Sequence, residues 1–159
     1  MTESTPATTV IRDLLSYRLH VVANLLSRSA ELRYRREFGV SLWEWRTVAL
    51  LGGATEPLTL NELARSAGID KSQMSRVVSG LARRRIVLRA RHSSDGRSVR
   101  LVLSKAGQRL YAGLIGAASE RDSVFMNCLS EKEKRAFDRA LAKLADKARS
   151  MIQRERTAA

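Results

Sequence analysis

The strongest restriction on the fold lies in residues 59–103. Apolar spacing and capping residues predict one short helix over 59–69 and a second over 70–81, with Gly68 in the turn between them. Two short runs rich in apolar and β-branched residues follow, 86–91 and 98–103, joined by a segment that contains an Asp-Gly turn signal. The predicted order is therefore helix, turn, helix and two-stranded hairpin.

Longer helices are predicted at both ends of the chain. Apolar residues recur at helical spacing over 10–36 and 104–156, and a further helix begins at the capping residue Ser41. We therefore expect a mainly α protein with a small β wing, forming a single domain over 1–159. A winged helix-turn-helix lobe (41–103) would join a dimerisation lobe made by the terminal helices. Apolar stripes that one chain cannot cover would need a second copy.

Positive charge is concentrated in the same central segment. The 159 residues include 29 Lys or Arg and 16 Asp or Glu, for a net charge of +13. Between positions 59 and 105 there are eleven basic residues and three acidic ones. Such an excess favours a polyanionic partner, either nucleic acid or an anionic membrane surface, although solubility alone is an alternative explanation.

Several protein classes are disfavoured. No apolar run approaches the roughly 18 residues of a membrane helix, so no membrane partner is expected. The one cysteine, Cys128, excludes an intrachain disulfide, fits a cytoplasmic location and is expected to be a buried structural thiol. No hydrolytic triad, phosphate loop or cluster of metal ligands is visible, so we expect neither an enzyme nor a cofactor or metal.

The second short helix has the composition of a DNA recognition helix. An amide can pair with adenine and an arginine with guanine, while hydroxyl groups suit base edges or phosphates. The alternative is a solvated helix face, but the capped helix before it and the basic hairpin after it favour DNA contact. The residues predicted to contact DNA from this helix are Ser72, Gln73, Ser75 and Arg76.

The hairpin predicts a second contact. Its turn could do no more than reverse the chain, or it could project Arg97 into a minor groove. Asp95 could then orient the guanidinium group of Arg97 or of Arg100. The positive charges of arginines 83–85 could interact favourably with the C-terminal end of the helix dipole, contact phosphate, or do both. Further predicted phosphate contacts are Arg65, Lys71, Arg89 and Arg91.

These motifs resemble those of the MarR family of bacterial regulators. The resemblance is carried by Leu63-Ala64, Ala67-Gly68-Ile69, Ser72-Gln73-Met74-Ser75-Arg76, Leu81-Ala82-Arg83, Asp95-Gly96-Arg97 and Leu101-Val102-Leu103-Ser104-Lys105-Ala106-Gly107. It is strongest over about 41–107, and the Asp-x-Arg hairpin and the Leu-Ser-x-x-Gly start of the next helix are its more specific parts.

The resemblance implies a winged-helix homodimer, usually a repressor, that binds a pseudo-palindromic operator in double-stranded DNA. Such proteins commonly release the operator when a small aromatic acid binds between the dimer helices and the winged lobe. By position, a pocket of this kind could here involve His20, Trp43, Trp45 and Arg46. The alternatives are an activator or a ligand-independent regulator of the same fold, or a winged-helix protein that binds nucleic acid without sequence preference.

Overall fold

A computed structural model describes residues 10–91 and 99–158. The predicted mainly α fold with a small β wing is confirmed. A 3₁₀ turn at Ile11–Asp13 precedes the other elements. These are α1 (Leu15–Phe38), α2 (Leu42–Gly52), β1 (Leu58–Thr59), α3 (Leu60–Ala67), α4 (Lys71–Arg83), β2 (Val87–Arg91), β3 (Val99–Leu103), α5 (Lys105–Met126) and α6 (Glu131–Ala158).

The chain forms two compact units, Met1–Gly116 and Ala117–Ala159, and the boundary between them falls within α5. In the first unit, α2, α3 and α4 pack together beside a three-stranded antiparallel sheet of order β1-β3-β2. Its core is made of buried side chains contributed by almost every element of the unit. They include Tyr34, Val40, Val48, Leu63, Met74, Leu81, Val87, Leu101 and Leu114.

Side-chain caps fix where the central helices begin. Ser41 and Glu44 form a reciprocal capping box at α2, and Thr59 and Glu62 form one at α3. The Asp70 carboxylate accepts a hydrogen bond of 2.8 Å from the backbone N–H of Gln73 at α4. Each cap satisfies an amide that the first helical turn leaves without a partner. All three caps were predicted from the sequence.

The second unit contains the end of α5 and the whole of α6. Ser130 and Glu133 form a capping box, in which each backbone N–H donates to the other residue's side chain. Helix α6 continues to Ala158, two residues beyond the predicted helical region 104–156. An expected continuous helix from about position 10 is also corrected, because Leu14 has an extended backbone and α1 begins after it.

Two smaller expectations also change. Strand β1 was not predicted, because two residues beside a helix cap are too short to show alternation. Cys128 is exposed and not buried, and it lies beyond the end of α5, where its thiol donates to the backbone carbonyl of Phe125. Among the described residues, no helix is long and apolar enough to cross a membrane.

The long helices expose many apolar side chains. On α1 and the residues before it, the predicted apolar stripe is exposed in the single chain; its members are Val10, Leu14, Tyr17, Val21, Leu25 and Leu32. On α6, Phe137, Leu141, Met151 and Ile152 are exposed as well. Contiguous apolar surface of this kind is typical of a protein–protein interface.

Candidate nucleic-acid interface

Helix α4 presents one polar face and one buried face. Met74, Val78 and Leu81 recur at spacings of four and three, and all three are buried. The residues between them point away from the core, so Ser75 and Arg76 are exposed. Of the other predicted contacts on α4, Ser72 and Lys71 are exposed and Gln73 is half-buried. The first two turns of α4 therefore bring together the hydroxyl, amide and guanidinium groups predicted for base contact.

The turn before α4 sets how this helix is presented. Gly68 ends α3 with a φ of 70°, a left-handed conformation that favours glycine. The N–H of Ile69 then donates to the carbonyl of Ala64, and Asp70 caps the next helix. This is the helix, turn and helix of the predicted DNA-binding motif. Arg65 lies on α3 and is exposed.

The three arginines 83–85 lie at the C-terminal end of α4, and contacts of two of them hold this end in place. Arg84 donates to the Glu44 carboxylate at 3.1 Å, which ties the end of α4 to the first turn of α2. Arg85 has a φ of 56°, unusual for a residue that is not glycine. Its backbone carbonyl accepts a hydrogen bond of 2.7 Å from the Ser104 hydroxyl. The Arg84 side chain thus has a structural role beside any contact with phosphate, whereas at Arg85 the structural contact is made by the backbone.

The base of the hairpin is bound to the start of α3. Arg100 of β3 donates from Nη1 to the carbonyl oxygen of Pro57 at 3.1 Å and to Glu62 at 3.4 Å. The backbone and side-chain hydrogen bonds from Thr59, followed by the charge of Arg100, hold the pKa of Glu62 below its usual value. Sequence reasoning considered Asp95 as the partner of Arg100 and missed Glu62, which is close only because β1 pairs with β3.

The predicted hairpin contacts begin at the end of β2. Arg91 ends β2 and pairs with Val99 of β3. The predicted residues Asp95 and Arg97 lie outside the described residues.

The residues considered for an effector pocket lie at separate places. A cavity of about 300 Å³ between α2 and α3 is lined by Trp45, Arg46, Ala49, Leu50, Ser66 and Ala67. Trp43 does not line this cavity; its ring lies 4.8 Å from the guanidinium carbon of Arg46. His20 is exposed on α1, where its Nε2 lies 2.8 Å from the Asn24 amide nitrogen. Of the four residues predicted for the pocket, the cavity therefore brings together only Trp45 and Arg46.

Arg46 is held in place by neutral groups. Its Nη2 donates to the Ser27 hydroxyl at 3.2 Å, and its guanidinium group stacks over Trp43. No carboxylate of the described residues forms an ion pair with it. No group of three or more His, Cys, Asp or Glu side chains in residues 10–91 and 99–158 is arranged to hold a metal ion.

Comparison with known proteins agrees with this geometry. The sequence profile of the MarR family matches residues 38–98. A MarR/EmrR family transcriptional regulator from Acinetobacter sp. ADP1 is 27% identical, with a TM-score of 0.78 over 85% of this chain and 94% of that one. The MarR family regulator SPO1453 from Silicibacter pomeroyi DSS-3 is 25% identical, with a TM-score of 0.76 over 87% of this chain and 97% of that one.

A third structure, the complex of S. aureus MepR with DNA, shares the fold. It is 19% identical, with a TM-score of 0.77 over 84% of this chain and 98% of that one. No curated protein sequence matches the chain. Residues 38–98 match the MarR family, and most of the chain shares the fold of solved MarR family transcriptional regulators.

Proposed function

We propose that this DNA-binding regulator acts as a cytoplasmic homodimer that represses transcription from a pseudo-palindromic operator. The observation that carries the proposal is the exposed polar face of α4, with Ser72, Ser75 and Arg76 above a buried apolar face. A helix anchored on one side and polar on the other can enter a major groove without disturbing the core. Each protomer would read one half-site.

The individual contacts follow from side-chain chemistry. Arg76 would pair with a guanine and Gln73 with an adenine, while Ser72 and Ser75 would contact base edges or phosphates. Arg65, Lys71 and Arg91 would contact phosphates and position the helix. Arg97 would enter the flanking minor groove, with Asp95 orienting it.

Selection of bound fragments from the genome that encodes this chain tests the proposal. We expect the recovered fragments to share an inverted repeat with half-sites about one helical turn, roughly 34 Å, apart. Changing one half-site should weaken binding strongly. Recovery of unrelated fragments in proportion to their length would instead favour a winged-helix protein without sequence preference. An operator upstream of a promoter, with transcription raised by the protein, would replace repression with activation.

We further propose that a small aromatic acid releases the operator. The cavity between α2 and α3 supports this, since about 300 Å³ suits a single-ring ligand. The indole ring of Trp45 could stack on the ring of the acid. Arg46, which has only neutral partners among the described residues, could pair with the carboxylate.

Release is tested by titrating benzoate and 2-hydroxybenzoate into the protein–operator complex. Wild-type protein should dissociate, whereas Arg46→Gln should bind the operator but require at least about tenfold more acid, as expected when a charged hydrogen-bond partner is lost. Arg109→Gln, an exposed change on α5, is the matched control. Equal sensitivity of both variants to the acid would remove Arg46 from the proposed pocket.

A further inference from the structure

One carboxylate oxygen takes part in the contact between the wing sheet and the helix-turn-helix. Oε2 of Glu62 accepts from the Thr59 backbone N–H at 2.7 Å, from the Thr59 hydroxyl at 2.8 Å and from Arg100 Nη1 at 3.4 Å. The first two bonds belong to the capping box of α3. The third comes from β3, so one side chain joins a helix start to the strand that carries the wing.

Strand pairing reinforces this joint. Thr59 caps α3 and is also the β1 residue that pairs with Arg100 of β3. The same Arg100 group that reaches Glu62 also donates to the carbonyl oxygen of Pro57, just before β1. The Arg100 side chain therefore bridges β3, the segment before β1 and the first turn of α3.

Apolar side chains also pack between α4 and the sheet, and the surface is open at the edge of this contact. A cavity of about 120 Å³ lies there, lined by Leu60, Ser75, Val78, Arg89, Val99 and Leu101. Beneath this space, Val78 of α4 and Leu101 of β3 are buried, so apolar contact already joins α4 to the sheet. The polar joint at Glu62 supplies a directional constraint that apolar contact lacks.

We propose that Arg100 is a positioning residue, which fixes the wing to the helix-turn-helix through Glu62 and Pro57 so that both meet DNA as one unit. The inference rests on the proposed function. It assigns Arg100 an inward role, unlike the arginines predicted to contact phosphate. It also explains an acid in a strongly basic lobe, since Glu62 holds the guanidinium that sets the position of the wing.

The direction in which one substitution changes operator affinity distinguishes this positioning role from simple charge repulsion. Removing an acid from a DNA-binding lobe ordinarily leaves affinity unchanged or raises it. We expect Glu62→Gln to lower operator affinity by about fivefold, the scale of a modest coupling between elements. Glutamine can still serve in the capping box, so α3 should remain capped. Glu56→Gln, an exposed change in the loop before β1, is the matched control and should not weaken binding.

Arg100→Met removes the other partner and keeps an apolar stem of similar length. Arg100→Met should lower operator affinity about as much as Glu62→Gln does. The double variant should bind no more weakly than the weaker of the two single variants, because both changes break the same contact. Arg109→Met is the control for loss of one positive charge outside the joint. Melting curves of all variants separate a change in stability from a change in binding.

A third readout isolates positioning from a merely structural effect. Each variant is titrated against the selected operator and against an operator whose outer flanks have been exchanged for G·C-rich sequence. We expect the preference of wild-type protein for its natural flanks to shrink by about threefold in both joint variants. Unchanged flank preference, or affinity of Glu62→Gln equal to that of Glu56→Gln, would overturn the role of Arg100. Failure of wild-type protein to prefer any duplex would instead overturn the proposed function itself.

Discussion

At the start of α5, Gly107 allows the helix to pack directly against the segment between α4 and β2. Ser104 donates from its hydroxyl to the Arg85 carbonyl and accepts from the backbone N–H of Gly107 at 3.0 Å. A Cβ at Gly107 would overlap the carbonyl oxygen of Ile86. The Leu-Ser-x-x-Gly motif therefore lets the chain between α4 and β2 lie directly against the first turn of α5.

This contact predicts opposite effects for two glycines of one helix. Gly107→Ala should destabilise the fold by about 1–3 kcal/mol, since backbone has to move to admit the methyl group. Gly116→Ala should stabilise it by up to about 1 kcal/mol, because no atom lies within 4 Å of the added Cβ and alanine favours helix. Urea unfolding measures both changes. A neutral Gly107→Ala variant would show that the junction is not closely packed.

At Arg76, we expect side-chain geometry to matter more than charge. Arg76→Lys keeps the positive charge but loses bidentate hydrogen bonding, so preference for guanine at one position should fall by about 1–3 kcal/mol. Arg65→Lys, at a predicted phosphate contact, should leave sequence preference unchanged. Binding to a set of operators with single base changes measures the difference. Uniform weakening across all operators would make Arg76 a phosphate contact.

Among the elements, two helix caps carry glutamates with depressed pKa values. Hydrogen bonds from Thr59 lower the pKa of Glu62, and hydrogen bonds from Ser130 lower that of Glu133, relative to the ordinary 4.5. The folded state therefore binds protons less readily than the unfolded state does. The stability contributed by each carboxylate is present above pH 4.5 and is lost as pH falls through the lower folded-state value.

Urea unfolding between pH 7 and pH 3 tests this expectation. Stability should fall as acid protonates the two caps, and the double variant Glu62→Gln/Glu133→Gln should lose less over the same range. The variant should already be the less stable protein at pH 7. Parallel curves for wild type and variant would show that the caps do not contribute to acid sensitivity.

Local signals explain which elements could be predicted. The helix starts at Ser41, Thr59 and Asp70 depend on residues three positions apart, so sequence alone reveals them. The pairing of Glu62 with Arg100 spans 38 positions and depends on a strand of two residues, for which no local pattern exists. The exposure of a lone cysteine after α5 likewise depends on tertiary packing and not on its neighbours in sequence.

At the scale of the whole molecule, the exposed apolar face of α1 predicts association. Leu15 and Val22 are 51% and 53% exposed in the single chain, and their spacing of seven places them on the same helical face. Leu15→Glu/Val22→Glu should therefore disrupt the proposed dimer, because two buried carboxylates would face an apolar interface. Leu88→Glu, at a 48% exposed residue of β2, is the matched control.

Light scattering at several protein concentrations measures the result. We expect wild-type protein and Leu88→Glu to have the mass of two chains, and the α1 variant to have the mass of one. Circular dichroism verifies that the variant remains helical. An unchanged dimer would place the interface on other surfaces.

Hydroxyl-radical footprinting on the genomic operator tests the central claim most directly, since it reports where each protomer contacts the duplex. We expect two chains to protect two symmetric half-sites centred about one helical turn apart, roughly 34 Å. The protection should weaken steeply with added salt as phosphate contacts are lost. A single protected site occupied by one chain, or protection without a fixed position, would contradict the proposed mode of operator recognition.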